Sequence, residues 1–597
     1  MEGHYNPAYS SEVTDIDSVN CYPQQITING KPEKHRDNWG NGIEFLLSCI
    51  AMSVGLGNVW RFPFTALENG GGAFLIPYII ILVLVGRPGY YLEMIIGQFS
   101  SREIIKAFDC VPAMRGIAIG QVFCVVCVST YYSSILAITL KYFFYSFNSV
   151  LPWSECNPLW IQPCYPSSGS SLNQTWKEGT KSSTELYFIN EVLHAKENIN
   201  DGIGWPNLSL LGFLILNWTI VFLILVKGIK SAGKVSYITG IAPFIFLVIF
   251  LIRALTLPGS FEGIVYFFSP NWENAFSPKV WYAAATQLFF SLNVFFANIV
   301  MYASYNKIDH NIYRDANVVT TIDTFTSIIS GCISFAIIGH LKYELKVDDI
   351  TKVIKGGPGL VFVTYPETIS KFKFVPQVYS VFFFLMIFIL GVGSIVAMMS
   401  CVITVVRDQF PKIKYWQAAL GYAIFGVICS SLYVTPGGSA VIDLVDHYGA
   451  NFIAFILAFF EIISFSYIYG VKRICKDVQF MIGHEPGLYW KACWYVVAPV
   501  IMGSIVLSSL INYKHPTYNG LDFPLIAHII GWSITFLGIM WLPVMMFIEI
   551  GKKDGQMIEK IKAAFRPKAN WGPLKAPRKD CLLLVVGFGL KQENYEK

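Results

Sequence analysis

Charged side chains are scarce in this sequence. Only 14% of its 597 residues are Asp, Glu, Lys or Arg, whereas a soluble domain has roughly 25%. Hydrophobic residues make up 54%. This composition excludes an ordinary soluble protein and predicts a chain that crosses a membrane repeatedly. The net charge of +5 gives no reason to expect nucleic-acid binding, because the Lys and Arg of membrane proteins collect in cytoplasmic loops.

Enzyme signatures are absent as well. The chain contains no HExxH, GxSxG or Walker sequence, and its nine histidines are scattered, mostly over loops. We therefore expect no enzyme. A seven-helix receptor would have too few spans for the apolar segments present, and no segment resembles the filter of a channel. A secondary transporter is the class that remains.

Apolar segments of the roughly 20 residues needed to cross a bilayer follow one another along most of the chain. We predict an all-α polytopic membrane protein with about twelve transmembrane helices. The predicted spans lie near residues 43–66, 73–99, 115–147, 208–226, 235–255, 280–304, 316–342, 377–406, 414–432, 439–469, 489–511 and 525–549.

The distribution of basic residues predicts the topology. Residues 1–40 are polar, without a cleavable signal, and are expected to form a cytoplasmic tail. The transporter domain spans 41–550, and 551–597 form a second cytoplasmic tail. Loops assigned to the inside carry residues such as Lys227 and Arg407, whereas outside loops carry acids such as Glu262. The positive-inside rule thus favours a multi-pass plasma-membrane protein with both termini in the cytoplasm.

The longest loop, residues 148–207, is assigned to the outside and carries matching signals. Cys156 and Cys164 lie close together, and Asn173 and Asn207 begin glycosylation sequons. A disulfide persists on the outer face of a membrane. We predict a Cys156–Cys164 disulfide and glycans on both asparagines, with two free thiols as the alternative.

Two predicted spans contain residues that disfavour a continuous helix. The stretch SVGLGNVWRFPF, residues 53–64, places Gly55 and Gly57 inside the first span. Five spans later, residues 287–306 carry Ser291, Asn293 and Asn298 in an otherwise apolar run. Secondary transporters built from inverted repeats have discontinuous helices at corresponding positions. We therefore predict two inverted five-helix repeats with breaks in helices 1 and 6, although polar residues also join neighbouring helices.

Several longer motifs resemble one family. Besides SVGLGNVWRFPF, the chain has ENGGGAFLIPY, YLEMIIGQF, QLFFSL, YASYN and GPGLVFVTYPE in the same order. These resemble the neurotransmitter:sodium symporter (solute carrier 6) family from about Arg36 to residue 550. The chain looks most similar to the arthropod sodium-dependent nutrient amino acid transporters.

The resemblance implies a set of binding residues. Substrate binding is expected at Ser53, Gly55, Gly57, Val128, Tyr132, Phe290, Asn293, Phe296, Ser394 and Met398. One sodium ion is expected at Ser53, Asn58, Ser291 and Asp323, and a second at Ala51, Val54, Leu390, Gly393 and Ser394. A chloride site would use Tyr78, Gln287, Ser291 and Ser327. The gates would be the pairs Arg61–Asp446 outside and Arg36–Asp408 inside.

Gly55 bears on the substrate. Monoamine carriers in this family have an aspartate at the matching position, which pairs with the amine of a substrate that lacks a carboxylate. A glycine implies a substrate with its own carboxylate, hence an amino acid. The apolar and aromatic lining, with no charged partner, favours a neutral side chain of medium or large size. A glycine present only for packing is the alternative, and it would leave the substrate class open.

Three positions depart from the family pattern. Phe295 stands where many relatives have glycine, which argues against unwinding and alters the expected pocket size. Gly393 replaces a side-chain ligand of the second sodium site. Asp323 replaces an asparagine, and its carboxylate is expected to strengthen cation binding, weaken chloride dependence and admit potassium. The alternative is an aspartate that faces water at a helix end.

The sequence therefore predicts a symporter that couples inward sodium movement, and with Asp323 also potassium, to uptake of neutral amino acids. A carrier of another zwitterionic osmolyte and a non-transporting receptor or scaffold on the same fold are the alternatives. The expected partners are the amino acid substrate and the lipid bilayer, and the sequence indicates no protein partner.

Overall fold

A computed structural model describes residues 27–28, 31–32, 37–168, 180–196, 202–270, 272–345, 359–372, 374–511, 513, 515–518, 520–569 and 571–573. The principal helices are α1 (Gly42–Ser53), α2 (Gly57–Glu68), α3 (Gly72–Ser100), α4 (Pro112–Tyr145), α5 (Leu208–Leu225), α6 (Ile229–Leu255), α7 (Pro278–Leu292), α8 (Asn298–Ala303), α9 (Ile312–Glu344), α10 (Pro376–Gln409), α11 (Tyr415–Val434), α12 (Gly438–Ile482), α13 (Leu488–Ile511) and α14 (Leu525–Gly551).

Shorter elements fill the connections. Short helices are Ile104–Ala107, Ser183–Leu186 continuing into Tyr187–Leu193, Ser260–Phe268, Trp272–Ala275, Leu360–Thr364 continuing into Tyr365–Ser370, and Met557–Ala564. The strand pairs are Thr27–Ile28 with Lys31–Pro32, Cys164–Tyr165 with Lys181–Ser182, and Thr517–Tyr518 with Leu521–Asp522. The second pair is parallel and the other two are antiparallel.

The predicted all-α membrane architecture is confirmed. In the described part of the chain, 10 helices are long and apolar enough to cross a membrane, and α1 with α2, inclined at 43°, raises the number to 11. The remaining predicted span corresponds to α7 and α8, which are separated at residues 293–297. The two interrupted helices thus occupy the first and the sixth predicted spans.

Two helices extend beyond their predicted ends. α6 begins at Ile229 and so includes Lys230 and Lys234, which precede the span predicted near residues 235–255. α12 continues past Gly470, whose φ is 100°, into an amphipathic segment with exposed Lys472. Hydropathy falls where the basic residues begin, but the helix continues because its other face remains apolar and buried.

Burial separates inner from outer helices. The most apolar stretches of α4 and α10 are 72% buried, whereas that of α14 is 17% buried. α1 packs against α6, α9 and α10, and α10 also contacts α4. The first interrupted helix therefore lies at the centre of the helix bundle, enclosed by the helices that carry the predicted binding residues.

Candidate functional site

The first span breaks after Ser53, and the exposed backbone there contacts polar side chains. Gly55 N donates to Asn58 Oδ1 at 2.9 Å, and Leu56 N lies 3.4 Å from the Tyr132 hydroxyl. Irregular backbone at membrane depth is tolerated where protein encloses it or where it lines a cavity. The break therefore presents backbone donors toward α4, as the sequence predicts.

Gly55 is the residue that this geometry requires. A Cβ atom at this position would lie 2.6 Å from Ser394 Oγ and 3.5 Å from the Tyr132 hydroxyl. A side chain would thus displace Ser394, a residue of the second predicted sodium site. The absence of a side chain at Gly55 lets the hydroxyls of Ser394 on α10 and Tyr132 on α4 approach the first break closely.

The second break lies between α7 and α8. Asn293, Phe295 and Ala297 have φ values of 58°, 63° and 64°, in the left-handed region that L-residues avoid at a cost of roughly 1–2 kcal/mol each. None of the three is glycine. The expectation that Phe295 disfavours unwinding is therefore wrong for this structure.

Hydrogen bonds hold Phe295 in this conformation. Its N–H donates to Glu93 Oε2 at 2.7 Å, and its carbonyl accepts from Gln121 Nε2 at 2.9 Å. Its ring packs against Phe289, with 5.5 Å between the ring centroids, and closely approaches Gly89 of α3. The bulky side chain is accommodated beside α3, and buried polar groups stabilise the strained backbone.

The residues predicted for the first sodium ion converge on Asp323. Asn58 Nδ2 donates to Asp323 Oδ1 at 2.8 Å, and Ser291 Oγ lies 2.9 Å from the same oxygen. Asp323 is fully buried, so the alternative of a water-facing aspartate is excluded. Ser53, the fourth predicted residue, joins the two breaks through Oγ, which donates to the Leu292 carbonyl at 3.4 Å.

The oxygen-containing side chains around Asp323 suit a sodium ion. Carboxylate, hydroxyl and amide oxygens are the ligands that hard cations prefer, and Asp323, Ser291, Ser327 and Asn58 bring such groups together. Asn58 Nδ2 donates hydrogen bonds to this cluster, and one of the acceptors is Ser327 Oγ at 2.8 Å. A bound cation would compete with these hydrogen bonds and favour rotation of the Asn58 amide.

Three of the four predicted chloride residues lie near the same carboxylate. Tyr78 is fully buried and close enough to Asp323 to interact with it electrostatically, and Ser291 and Ser327 belong to the cluster around Asp323 and Asn58. Gln287 Nε2 donates to the Gly57 carbonyl at 3.2 Å, and its Oε1 is buried without a hydrogen-bond partner in the described part of the chain. The structure thus places Tyr78, Ser291 and Ser327 near a carboxyl group that would repel an anion when ionised.

At the second predicted sodium site, two helices approach each other closely. A Cβ atom on Gly393 would lie 2.3 Å from the Ala51 carbonyl oxygen. Ser394 Oγ donates to the Met52 carbonyl at 3.1 Å. Leu390 on α10 and Val54 at the end of α1 are both buried. There is therefore no room for a side-chain ligand at position 393, and the oxygens shown at this site are the Ala51 and Met52 carbonyls and the Ser394 hydroxyl.

Several of the residues predicted to bind substrate are apolar and buried. Val128, Phe296 and Met398 are buried, with Val128 one turn before Tyr132 on α4. Phe290 and Phe296 pack with their ring centroids 5.3 Å apart. The Arg61 guanidinium lies 4.2 Å from the Phe290 ring centroid. Asn293 accepts from Asn298 Nδ2 at 2.9 Å across the second break.

A comparison with known protein families identifies the family of this chain. The model of the sodium:neurotransmitter symporter family matches residues 36–553. The chain belongs to this family. The symporter is similar to proteins named sodium-dependent nutrient amino acid transporter 1 from three Drosophila species. The protein of D. willistoni is 45% identical over 93% of this chain and 91% of its own length. The D. persimilis protein is 46% identical over 91% of this chain and 85% of its own length. The D. melanogaster protein is 45% identical over 91% of this chain and 88% of its own length.

Membership in the symporter family confirms the predicted family and agrees with the prediction that the chain is not an enzyme. It also means that the helices described above are embedded in a membrane. The family model covers residues 36–553, so both breaks, Asp323 and the loop at residues 148–207 fall within the matched region.

The symporter does not form the predicted outer ion pair directly in this structure. No salt bridge within 4.0 Å joins Arg61 to Asp446 among the residues that the structure describes. Asp446 accepts instead from the Tyr131 hydroxyl and from Asn451 Nδ2, each at 2.7 Å. Tyr131 therefore contacts Asp446 and is near enough to Arg61 to interact with it electrostatically.

Of the predicted inner gate, only part is described. Arg36 lies outside the described residues. The backbone carbonyl of Asp408 accepts from Lys106 Nζ at 3.3 Å. Trp39 is buried, and its Nε1 donates to the Tyr302 carbonyl at 3.0 Å. This contact ties the segment before α1 to the end of α8.

The outer loop contains the predicted disulfide between Cys156 and Cys164, with their Cα atoms 6.0 Å apart. Asn207 caps α5, where its side chain accepts from Ser209 N at 2.9 Å and donates to the Val192 carbonyl at 3.3 Å. Asn173 lies outside the described residues. Glycosylation at both positions stays a prediction.

Three functional candidates did not stand out in the sequence. Tyr131 donates to Asp446 of the predicted outer gate, and Glu93 with Gln121 binds the backbone of the second break. One signal was available for Glu93, which is an acid within the apolar run YLEMIIGQF. Ionisable residues inside a membrane span are functional candidates by default because burying them is costly.

Proposed function

We propose that the protein is an electrogenic symporter that couples inward movement of sodium to the uptake of neutral amino acids with medium or large apolar side chains. The observation that carries this proposal is the group of polar atoms at the first break, where the Leu56 N–H lies 3.4 Å from the Tyr132 hydroxyl and Ser394 Oγ lies close to Gly55. A substrate carboxylate would accept from the Leu56 N–H and the Tyr132 hydroxyl and so replace the contact between them. The printed names of the Drosophila relatives support sodium and amino acids as the cargo.

The side chain of the substrate would extend between Val128, Phe296 and Met398. These residues supply apolar surface, and burial of apolar area contributes about 25 cal/mol per Å². A cationic or acidic side chain would have no counter-charge among the pocket residues. This supports selection for neutral amino acids of medium or large size.

Cation coupling follows from the position of Asp323. Asn58 contacts both Gly55 and Asp323, so a cation at the carboxylate and a substrate at Gly55 share one residue. A negative charge on Asp323 allows potassium as well as sodium to bind at this site, and it reduces the requirement for chloride. Two cations moving with one zwitterion through 100 mV would gain about 4.6 kcal/mol from voltage alone.

Alternating access would involve both breaks and the two gates. Arg61 with Asp446 would close the outer side through Tyr131, and Arg36 with Asp408 would close the inner side. We further propose a plasma-membrane location with cytoplasmic tails at residues 1–40 and 551–597, the transporter domain at 41–550, and glycans at Asn173 and Asn207.

A current screen tests the proposed function. Substrate-evoked current is measured in voltage-clamped cells for each amino acid in sodium, potassium and choline media. Large inward currents with neutral amino acids in sodium are expected, smaller ones in potassium, and none in choline. Currents with a zwitterionic osmolyte alone would indicate the alternative cargo. Surface protein without current for any solute would indicate a non-transporting receptor or scaffold.

A further inference from the structure

Two buried glutamates, neither of them a predicted sodium or substrate residue, lie beside the second break. Glu93 on α3 and Glu461 on α12 are both fully buried. Glu93 accepts from the backbone N–H of Phe295, and Glu461 accepts from Gln121 Nε2, which also donates to the Phe295 carbonyl. The two carboxyl groups are thus connected through Gln121 and one strained residue.

Neither carboxyl group has a cationic partner in the described part of the chain, where no salt bridge involves Glu93 or Glu461. The titratable groups near enough to interact are Tyr90 with Glu93, Cys110 with Glu461, and the two glutamates with each other. None of these groups is a cation. Two ionised carboxylates without a counter-charge are not stable at full burial, because desolvation disfavours the charged form.

The hydrogen-bond inventory identifies what is missing. Glu93 Oε1, Gln121 Oε1 and Glu461 Oε1 are all buried, and none has a hydrogen-bond partner within the described residues. The amide nitrogen of Gln121 already serves two acceptors. A carboxylic acid is a donor as well as an acceptor. A proton on either glutamate would supply a donor to a cluster that otherwise has too many acceptors.

We propose that Glu93, Gln121 and Glu461 form a proton-binding site that is linked to the second break. A proton is held in the conformation described above. It is released when the segment around Phe295 rearranges, because Glu93 then loses its N–H partner and the cluster gains access to water. This inference rests on the proposed transport function, since it assigns the site to a step of that cycle.

Linkage determines the direction of the effect. If the described conformation binds the proton more tightly than the open ones, protons favour that conformation to the same extent. Raising the pH then removes the proton and disfavours a state through which every transport cycle must pass. The pH dependence should disappear when a neutral side chain of the same shape replaces the acid.

The test compares wild type with Glu461→Gln in substrate-evoked current, using a saturating neutral amino acid in sodium medium. Between about pH 6 and about pH 8.5 the wild-type current is expected to fall by about threefold, as for a single titrating carboxyl. The Gln variant can donate to Gln121 Oε1 at every pH, so its current should stay constant. Glu262→Gln is the control, because Glu262 is 63% exposed and should leave the wild-type profile unchanged.

Equal pH profiles in wild type and Glu461→Gln, or a flat wild-type profile, would overturn the proposal. Should Glu461→Gln fail to reach the surface, Glu93→Gln provides the same comparison, since its amide oxygen still accepts from Phe295. With neither variant at the surface, the wild-type profile decides between a falling and a flat response. Absence of wild-type current at every pH would instead contradict the proposed transport function.

Discussion

Asn58 donates its side-chain amide to Oδ1 of Asp323 at 2.8 Å. The two residues are separated by 265 positions in the sequence, and both are fully buried. The oxygen of the same amide accepts from Gly55 N at 2.9 Å. One side chain therefore joins the predicted cation site on α9 to the space proposed for the substrate carboxylate, which gives coupling between the two a physical route.

Replacing Asp323 by Asn should weaken the apparent sodium affinity. The variant keeps one oxygen and nearly the same volume but removes a buried negative charge, for which a loss of about tenfold, or ~1.4 kcal/mol, is expected. Transport in potassium should decrease, and replacing chloride by gluconate should reduce the current more than in wild type. Sodium titrations at matched surface expression measure these effects.

Asp522→Asn is a suitable control for Asp323→Asn, because Asp522 is exposed in the short hairpin that precedes α14. Its sodium titration should match that of wild type. Unchanged sodium affinity together with an unchanged chloride response in Asp323→Asn would exclude a role for this carboxylate in ion binding.

Gly55→Asp should abolish amino acid uptake. Its carboxylate would occupy the space proposed for that of the substrate and would repel it, because like charges interact strongly where water is excluded. Gly55→Ala should reduce uptake at least about tenfold, since its Cβ would meet Ser394 Oγ at 2.6 Å. Radiolabelled uptake and surface biotinylation measure both effects.

The control for Gly55 is Gly212→Ala on α5, where a Cβ atom would have nothing within 4 Å. This variant should transport normally. Substantial uptake by surface-expressed Gly55→Asp would remove Gly55 from the carboxylate site.

Arg61→Ala should reduce transport by about tenfold, because a desolvated cation–π contact contributes up to about 2 kcal/mol and the charge near Tyr131 is lost. Arg253→Ala is a matched control, since the Arg253 guanidinium lies 4.4 Å from the ring centroid of Phe372, in a different part of the chain. Uptake at equal surface density is the measurement. Normal uptake in Arg61→Ala would indicate that the arginine has no gating role.

Cys156→Ser should lower the amount of protein at the cell surface. A disulfide contributes typically 2–4 kcal/mol by restricting the unfolded chain, and this one links residues 8 positions apart in the outer loop. Cys164→Ser and the double variant should show the same loss, because each removes one bond. Cys332→Ser, which changes a free cysteine, serves as control. A double variant with much higher expression than either single one would point to harm from the unpaired thiol.

Much of the architecture could be predicted from the sequence because lipid imposes simple requirements. Spans need long apolar segments, and basic residues remain on the cytoplasmic side. The break at Gly55 was also visible, since glycines and a proline disfavour a regular helix. The break around Phe295 was harder to predict, because a left-handed phenylalanine is stabilised by Glu93 and Gln121, which lie on other helices.

The sequence by itself determined the membrane class, the approximate spans and the candidate residues, because composition and local propensity act over short segments. Only the tertiary structure decided that Asp323 is buried against Asn58, that Gly393 leaves no room beside the Ala51 carbonyl, and that Tyr131 donates to Asp446. These relationships depend on how distant helices pack. Packing distances of a few ångströms follow from the whole set of helix contacts, which no local pattern in the sequence contains.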